Sequence, residues 1–240
     1  MADHYNLFPM KTFAATVADC MDLPLPETYA KGIDWVSALM KQRMGGTADR
    51  VVLYHADAVG MHIWQKYTDL FAPVYAHTSL AVPMLSTVES VTPVSHASMY
   101  TGLDPEQHGI MTYVRPKLEC STLFDVLLAA GKKVAIVAQL DSTFLHIFEG
   151  RNLDYFEAKN AIEVQEKALE LIATDEYDVI SNAIYATIPL TTQNLFLNLY
   201  NIPNLNLENE WWAQGFNSEM SVGKAQELSV GVDVYRRHML

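Results

Sequence analysis

Three short apolar runs, set apart by stretches of helical character, constrain the fold of this chain more than any other feature. The first is Val51-Val52-Leu53-Tyr54-His55-Ala56, which ends abruptly at Asp57. A near-continuous apolar run of this length reads as a strand buried on both faces, as in a parallel sheet. Lys133 to Ala138 and Tyr177 to Ser181 repeat the pattern, and Ala81 to Leu85 is a further apolar run. Between them the spacing predicts helices. One runs from about Met61 to Phe71. Another starts at Thr92-Pro93 and runs through Ser98 to Tyr100. A third spans Thr122 to Ala130 and closes at Gly131, and a fourth spans Ala158 to Ala173 with Ala161, Val164, Ala168 and Leu171 on one face. Strands alternating with helices argue for an α/β fold with a mostly parallel sheet and helices on both faces.

The run of elements is bounded on both sides. Residues 1–48 read as a helical lead-in: Ile33, Trp35, Val36, Leu39 and Met40 recur at helical spacing, and Gly45-Gly46 ends the element. Residues 49–181 carry the α/β rhythm. Residues 182–240 form an apolar, Asn-rich tail in which the rhythm disappears. From Val179 through Leu207 there is no Asp, Glu, Lys, Arg or His. Asn occurs only at positions 6, 152 and 160 before this stretch and seven times between Asn182 and Asn209.

Charge and composition exclude several functions. A net charge of -12 disfavours an extended contact with a nucleic-acid polymer, though not a small phosphate ester held by a local cation. No stretch approaches the roughly 18 apolar residues of a membrane helix. The N-terminus lacks the basic start and apolar run of a signal peptide, and Cys20 and Cys120 stand far apart, as two free thiols of a reducing compartment would. The expectation is a cytoplasmic protein.

Two positions invite chemistry. Asp57 stands at the mouth of the first strand, where open α/β sheets gather functional groups, so it is a candidate metal ligand. It would equally serve as a helix cap. Thr92 precedes Pro93, which places it as an N-cap with its hydroxyl over free backbone N–H groups, a setting that attracts phosphate oxygens. Here too a plain Thr-Pro cap needs no function. His96 lies one turn on, and His108 is placed to pin a loop to the preceding helix.

Together these segments resemble a known pattern. Val51 to Gly60 resembles the opening strand of the alkaline phosphatase superfamily, a hydrophobic run ending in Asp-Gly-x-Gly, with Ala58 in place of the first glycine. Thr92-Pro93-Val94-Ser95-His96, continuing without a gap to Thr101-Gly102-Leu103-Asp104-Pro105-Glu106-Gln107-His108-Gly109-Ile110, resembles the nucleophile segment of its nucleotide pyrophosphatase/phosphodiesterase branch. That branch has a nucleophilic Thr, a His four residues on, then Thr-Gly-x-x-Pro-x-x-His-Gly-Ile. The resemblance implies an alkaline-phosphatase-like core and hydrolysis of small phosphate esters with zinc or manganese. It implies Thr92 as nucleophile and, with Asp57, as metal ligand. Ser95 and His96 fall at substrate-binding positions, Ser95 where relatives often carry an oxyanion-binding Asn.

The core that the resemblance implies is incomplete. The family's later ligands, an Asp-x-x-x-His segment after a strand like Tyr177–Ser181, an Asp-His-Gly segment and a late His, have no counterpart, and after His146 the only histidine is His238. Three histories fit: a shortened, non-catalytic relative; a fragment completed by a second polypeptide; or a reading frame that slipped near Ser181. Shifting the frame back by one nucleotide over 183–195 permits codons for Asp-Tyr-Thr-Thr-His. The leading expectation is a phosphodiesterase or phosphatase of impaired activity. The alternative is a binding or interaction module, and the apolar tail would favour a homo-oligomer.

Overall fold

The computed structural model describes residues 8–56, 65, 68–78 and 80–184. Its centre is a four-stranded, all-parallel sheet in the order β1-β4-β2-β3, with β1 at Val51–Ala56, β2 at Val134–Gln139, β3 at Asp154–Ala158 and β4 at Val179–Ile184. The predicted α/β fold is therefore present. β4, the last strand in sequence, lies between β1 and β2. Val51 pairs with Val179 on one side, and Val134 pairs with Val179 on the other.

The period-two alternation of strand side chains divides the core into two layers. Val134, Ile136, Ala138, Leu53, Val179 and Ala183 face one layer, and Ala135, Val137 and Ile180 face the other. The second layer is covered by a single long helix, Ala161–Thr174, through Ala161, Val164, Ala168 and Leu171. The Asn160 side chain caps this helix by accepting from the Ile162 and Glu163 N–H groups. Contacts of this helix with β2, β3 and β4 leave edge strand β1 less covered, and Val52 and Tyr54 are exposed.

The first layer is thicker. In chain order, helices α1 (Phe13–Cys20), α2 (Asp34–Met44), α3 (Ala72–His77), α4 (Thr92–Thr101), α5 (Pro105–His108), α6 (Leu123–Ala129) and α7 (Thr143–Phe148) precede the long helix, α8. Short 3-10 turns occupy Met10–Thr12 and Thr68–Phe71. Beneath α4 an aromatic cluster of Tyr100, Phe124, Phe144 and Phe148 has ring centroids 4.6–6.4 Å apart. All four rings are fully buried, and such pairs add about 0.5–1.5 kcal/mol each beyond area burial.

Local chemistry holds the connections. Arg50 clamps the start of β1 to the end of α8, donating to the Tyr177 and Ile172 carbonyls and pairing with Asp175. Arg151, almost wholly buried, donates from Nε to Asp125 Oδ2 at 3.0 Å and Thr122 Oγ1 at 3.1 Å. Its Nη2 donates to the carbonyls of Leu118 and Cys120. Lys11 reaches Asp104 at 2.6 Å and ties the N-terminal segment to the start of α5. Cys20 and Cys120 are free thiols. No helix among the described residues is long and apolar enough to cross a membrane.

The structure corrects several element boundaries. Of the expected helix at 61–71, Gln65 is helical, Thr68–Phe71 form a 3-10 turn that leads into α3, and residues 61–64, 66 and 67 lie outside the described residues. The run 81–85 forms no strand; Leu85 makes only a parallel bridge to Pro9. The start assigned to the fourth predicted helix, Ala158, belongs instead to β3.

Candidate active site

β1 delivers the chain to the carboxyl end of the sheet and stops at Ala56. Asp57, the expected metal ligand, is the next residue and lies outside the described residues. The two residues of β1 that precede it are the observable part of this corner. His55 faces the same layer as Leu53, toward α4.

α4 brings the second half of the corner. Its first intrahelical bond runs from the Ser95 N–H to the Val91 carbonyl at 2.9 Å, so the N-cap is Val91, in extended conformation at φ -110°, ψ 153°. Thr92 is therefore the first helical residue and Pro93 the second, one position later than the Thr-Pro cap that the sequence suggests. The difference matters chemically. The N-cap valine has no polar side chain and makes no capping bond, so Thr92 contributes its hydroxyl from the first turn rather than from the cap. Pro93 has no N–H, and the N–H groups of Thr92 and Val94 have no partner within the helix. The positive end of the helix dipole adds to the attraction of this corner for an anion.

Thr92, His96 and Tyr100 follow one another at intervals of four and form one stripe of α4. His96 is 8 % exposed, and its Nδ1 lies 2.9 Å from the Thr92 carbonyl oxygen. A carbonyl only accepts, so Nδ1 carries the proton and Nε2 of the neutral ring holds the lone pair. Burial pushes the His96 pKa down to about 4, against the opposing pull of that hydrogen bond. The ring packs edge-on to His55 at 5.3 Å and to Phe144 at 4.9 Å. This contact brings His96, one turn after Thr92, against the carboxyl end of β1.

Ser95 Oγ lies 3.1 Å from Thr87 Oγ1, in the loop that leads into α4. His108 does pin its loop to α4. Its Nδ1 accepts from the Ile110 N–H at 3.2 Å, so Nε2–H donates to Ser98 Oγ at 2.9 Å. Burial holds the His108 pKa down at about 4, with Asp104 and Glu106 pulling the other way. Gly102, in the left-handed region at φ +67°, turns the chain out of α4, and a Cβ there would sit 3.0 Å from Tyr29.

Three residues at this corner have no motif to announce them. His55 Nε2 lies 2.6 Å from Tyr100 Oη, and Tyr100 Oη lies 2.7 Å from Ser181 Oγ. Burial, then the neighbouring His96, holds the His55 pKa well below the ordinary value, and burial pushes the Tyr100 phenol up. A histidine inside an otherwise apolar strand was the one available signal. Among the described residues no three His, Cys, Asp or Glu side chains converge on a common point.

No curated protein matches the chain. Residues 56–126, from the end of β1 through α4 into α6, match the model of the type I phosphodiesterase / nucleotide pyrophosphatase family, a partial match that covers less than half of the chain.

Proposed function

We infer that this chain derives from a divalent-metal-dependent hydrolase of small phosphate esters in which Thr92 is the nucleophile. The observation that supports this most directly is the placement of Thr92 at the first position of α4, inside the segment that matches the family. In the reaction so read, Thr92 Oγ bonds to phosphorus as the ester P–O bond breaks. The alcohol leaves with a proton and a phosphothreonine remains, which water then hydrolyses. The N–H groups of the first turn of α4 are placed to bind the phosphoryl oxygens. His96 remains neutral and holds the Thr92 carbonyl, and Ser95 and His96 flank the substrate.

The family resemblance implies zinc or manganese, with Asp57 and Thr92 among the ligands. A bare threonine oxygen and one carboxylate make a weak site for such an ion. The family's later ligand segments have no counterpart in the sequence, so we assign this chain low turnover. The two free thiols support a reducing, cytoplasmic setting. The lack of a converging ligand set favours one rival reading, a non-catalytic relative that acts as an interaction module. Turnover of p-nitrophenyl phosphate and its bis ester, with zinc or manganese added, separates the two. Slow metal-dependent hydrolysis that disappears in Thr92→Ala supports the enzyme. A rate equal to buffer with either metal rejects it.

A further inference from the structure

The hydroxyl of Tyr100 joins all three segments that meet at the candidate site. It belongs to α4, two turns after Thr92. It reaches β1 through His55 at 2.6 Å and β4 through Ser181 at 2.7 Å. The bond to His55 is short for neutral partners and the bond to Ser181 is of ordinary length for two hydroxyls, and both Tyr100 and Ser181 are fully buried. The phenol ring is gripped at the same time by Phe124 at 4.6 Å and Phe148 at 4.9 Å, so the hydroxyl cannot swing to another partner without moving the core.

A phenol has a single O–H to give. With His55 neutral, two hydrogen orders satisfy the chain. Ser181 donates to Tyr100, which donates to His55 Nε2; or His55 Nε2–H donates to Tyr100, which donates to Ser181. Either order uses the one tyrosine hydroxyl as both donor and acceptor, so neither bond survives its removal. α4 also meets β1 through ring contacts of His96 and Tyr100 with His55, which are tolerant of sliding. Hydrogen bonds at these lengths are not, and they lock α4 along its axis against the two adjacent strands.

We propose that Tyr100 is a positioning residue that sets where Thr92 stands relative to the ends of β1 and β4. The inference rests on the reading of Thr92 as nucleophile, but its geometry stands apart from it. Hydrolysis at phosphorus is sensitive to such placement, since a shift of about 1 Å costs on the order of 100-fold in rate. Ser181 and His55 are the two anchors, and the Thr92–His96–Tyr100 stripe carries the register from them to the helix terminus.

The test uses the full chain, Tyr100→Phe, Ser181→Ala and, as control, Tyr155→Phe. Tyr155 also has a bonded hydroxyl, 2.6 Å from the Phe148 carbonyl, but none of the three segments is tied by it. Two readouts are taken: kcat and KM for manganese-supported hydrolysis of bis(p-nitrophenyl) phosphate, and crystal structures of each protein. Tyr100→Phe is expected to lower kcat about 100-fold at unchanged KM, to leave the circular dichroism spectrum intact and to displace Thr92 Cα by about 1 Å relative to His55 Cα. Tyr155→Phe changes neither. A folded Tyr100→Phe protein with Thr92 in place overturns the proposal, whatever its activity. If Tyr100→Phe does not fold, Ser181→Ala decides in the same way, with a loss of about 10-fold expected and none overturning the proposal. An inactive parent chain whose Thr92 still moves in Tyr100→Phe rejects the enzymatic reading and upholds the positioning role.

Discussion

Acid should unfold this protein through its buried histidines. His96 and His108 have pKa values near 4 in the folded chain, against an ordinary value of 6.5. Above pH 6.5 both states keep these rings neutral and the stability is fully present. As the pH falls from 6.5 toward 4, the unfolded chain binds protons that the folded chain cannot, so stability is lost over that window. Each shift is worth roughly 3 kcal/mol, and the two together remove roughly 4 kcal/mol between pH 7 and 5, a large part of a typical domain's stability. His55 acts in the same direction. The reason lies in the geometry: a protonated His108 can no longer accept from the Ile110 N–H, and a protonated His96 places a charge between His55 and Phe144. Urea unfolding followed by circular dichroism at pH 7, 6, 5 and 4.5 measures the slope, and His108→Asn should reduce it by about half a residue pair's worth, near 1.4 kcal/mol per pH unit. A stability that stays within about 1 kcal/mol from pH 7 to 5 would refute the reasoning.

Other substitutions probe the remaining contacts. Arg151→Ala strips Asp125, Thr122 and two carbonyls of a buried donor and should cost about 3–5 kcal/mol in urea titrations; a loss under 1 kcal/mol would mean that this cluster is dispensable. Gly102→Ala combines left-handed strain with a Cβ 3.0 Å from Tyr29 and should cost about 2–4 kcal/mol, whereas a neutral result would show that the Tyr29 ring yields. Thr92→Ala removes no capping bond, so thermal unfolding should shift by no more than about 0.5 kcal/mol. A larger loss would return Thr92 to the role of a plain helix cap.

Much of this arrangement was legible in the amino-acid order. The apolar runs at Val51, Val134 and Val179 became β1, β2 and β4; β2 and β4 are buried on both faces as such runs imply, whereas β1 leaves Val52 and Tyr54 exposed on one face. β3 escaped notice because Asp154-Tyr155-Phe156-Glu157-Ala158 is an edge strand with a charge near each end, and α7 because Thr143–Phe148 is too short and too uniformly apolar to show a helical period. At the site, Thr92, Ser95, His96 and His108 could be read from a continuous segment. The His55–Tyr100–Ser181 chain could not, since its members lie 45 and 81 positions apart and meet only after the sheet has formed.

The position of β4 also governs the order of assembly. β2 and β3 pair across a short separation, Ala135 with Asp154, but β1 finds its only described partner about 128 positions downstream. On a ribosome adding roughly 5–20 residues per second, β1 waits on the order of 6–25 s for β4 to be made. β4 must then enter between two strands rather than add to an edge, closing a long loop at the last moment. During that interval β1 is a lone apolar strand and one edge of β2 is open, which is when this chain is most exposed to mispairing with its neighbours.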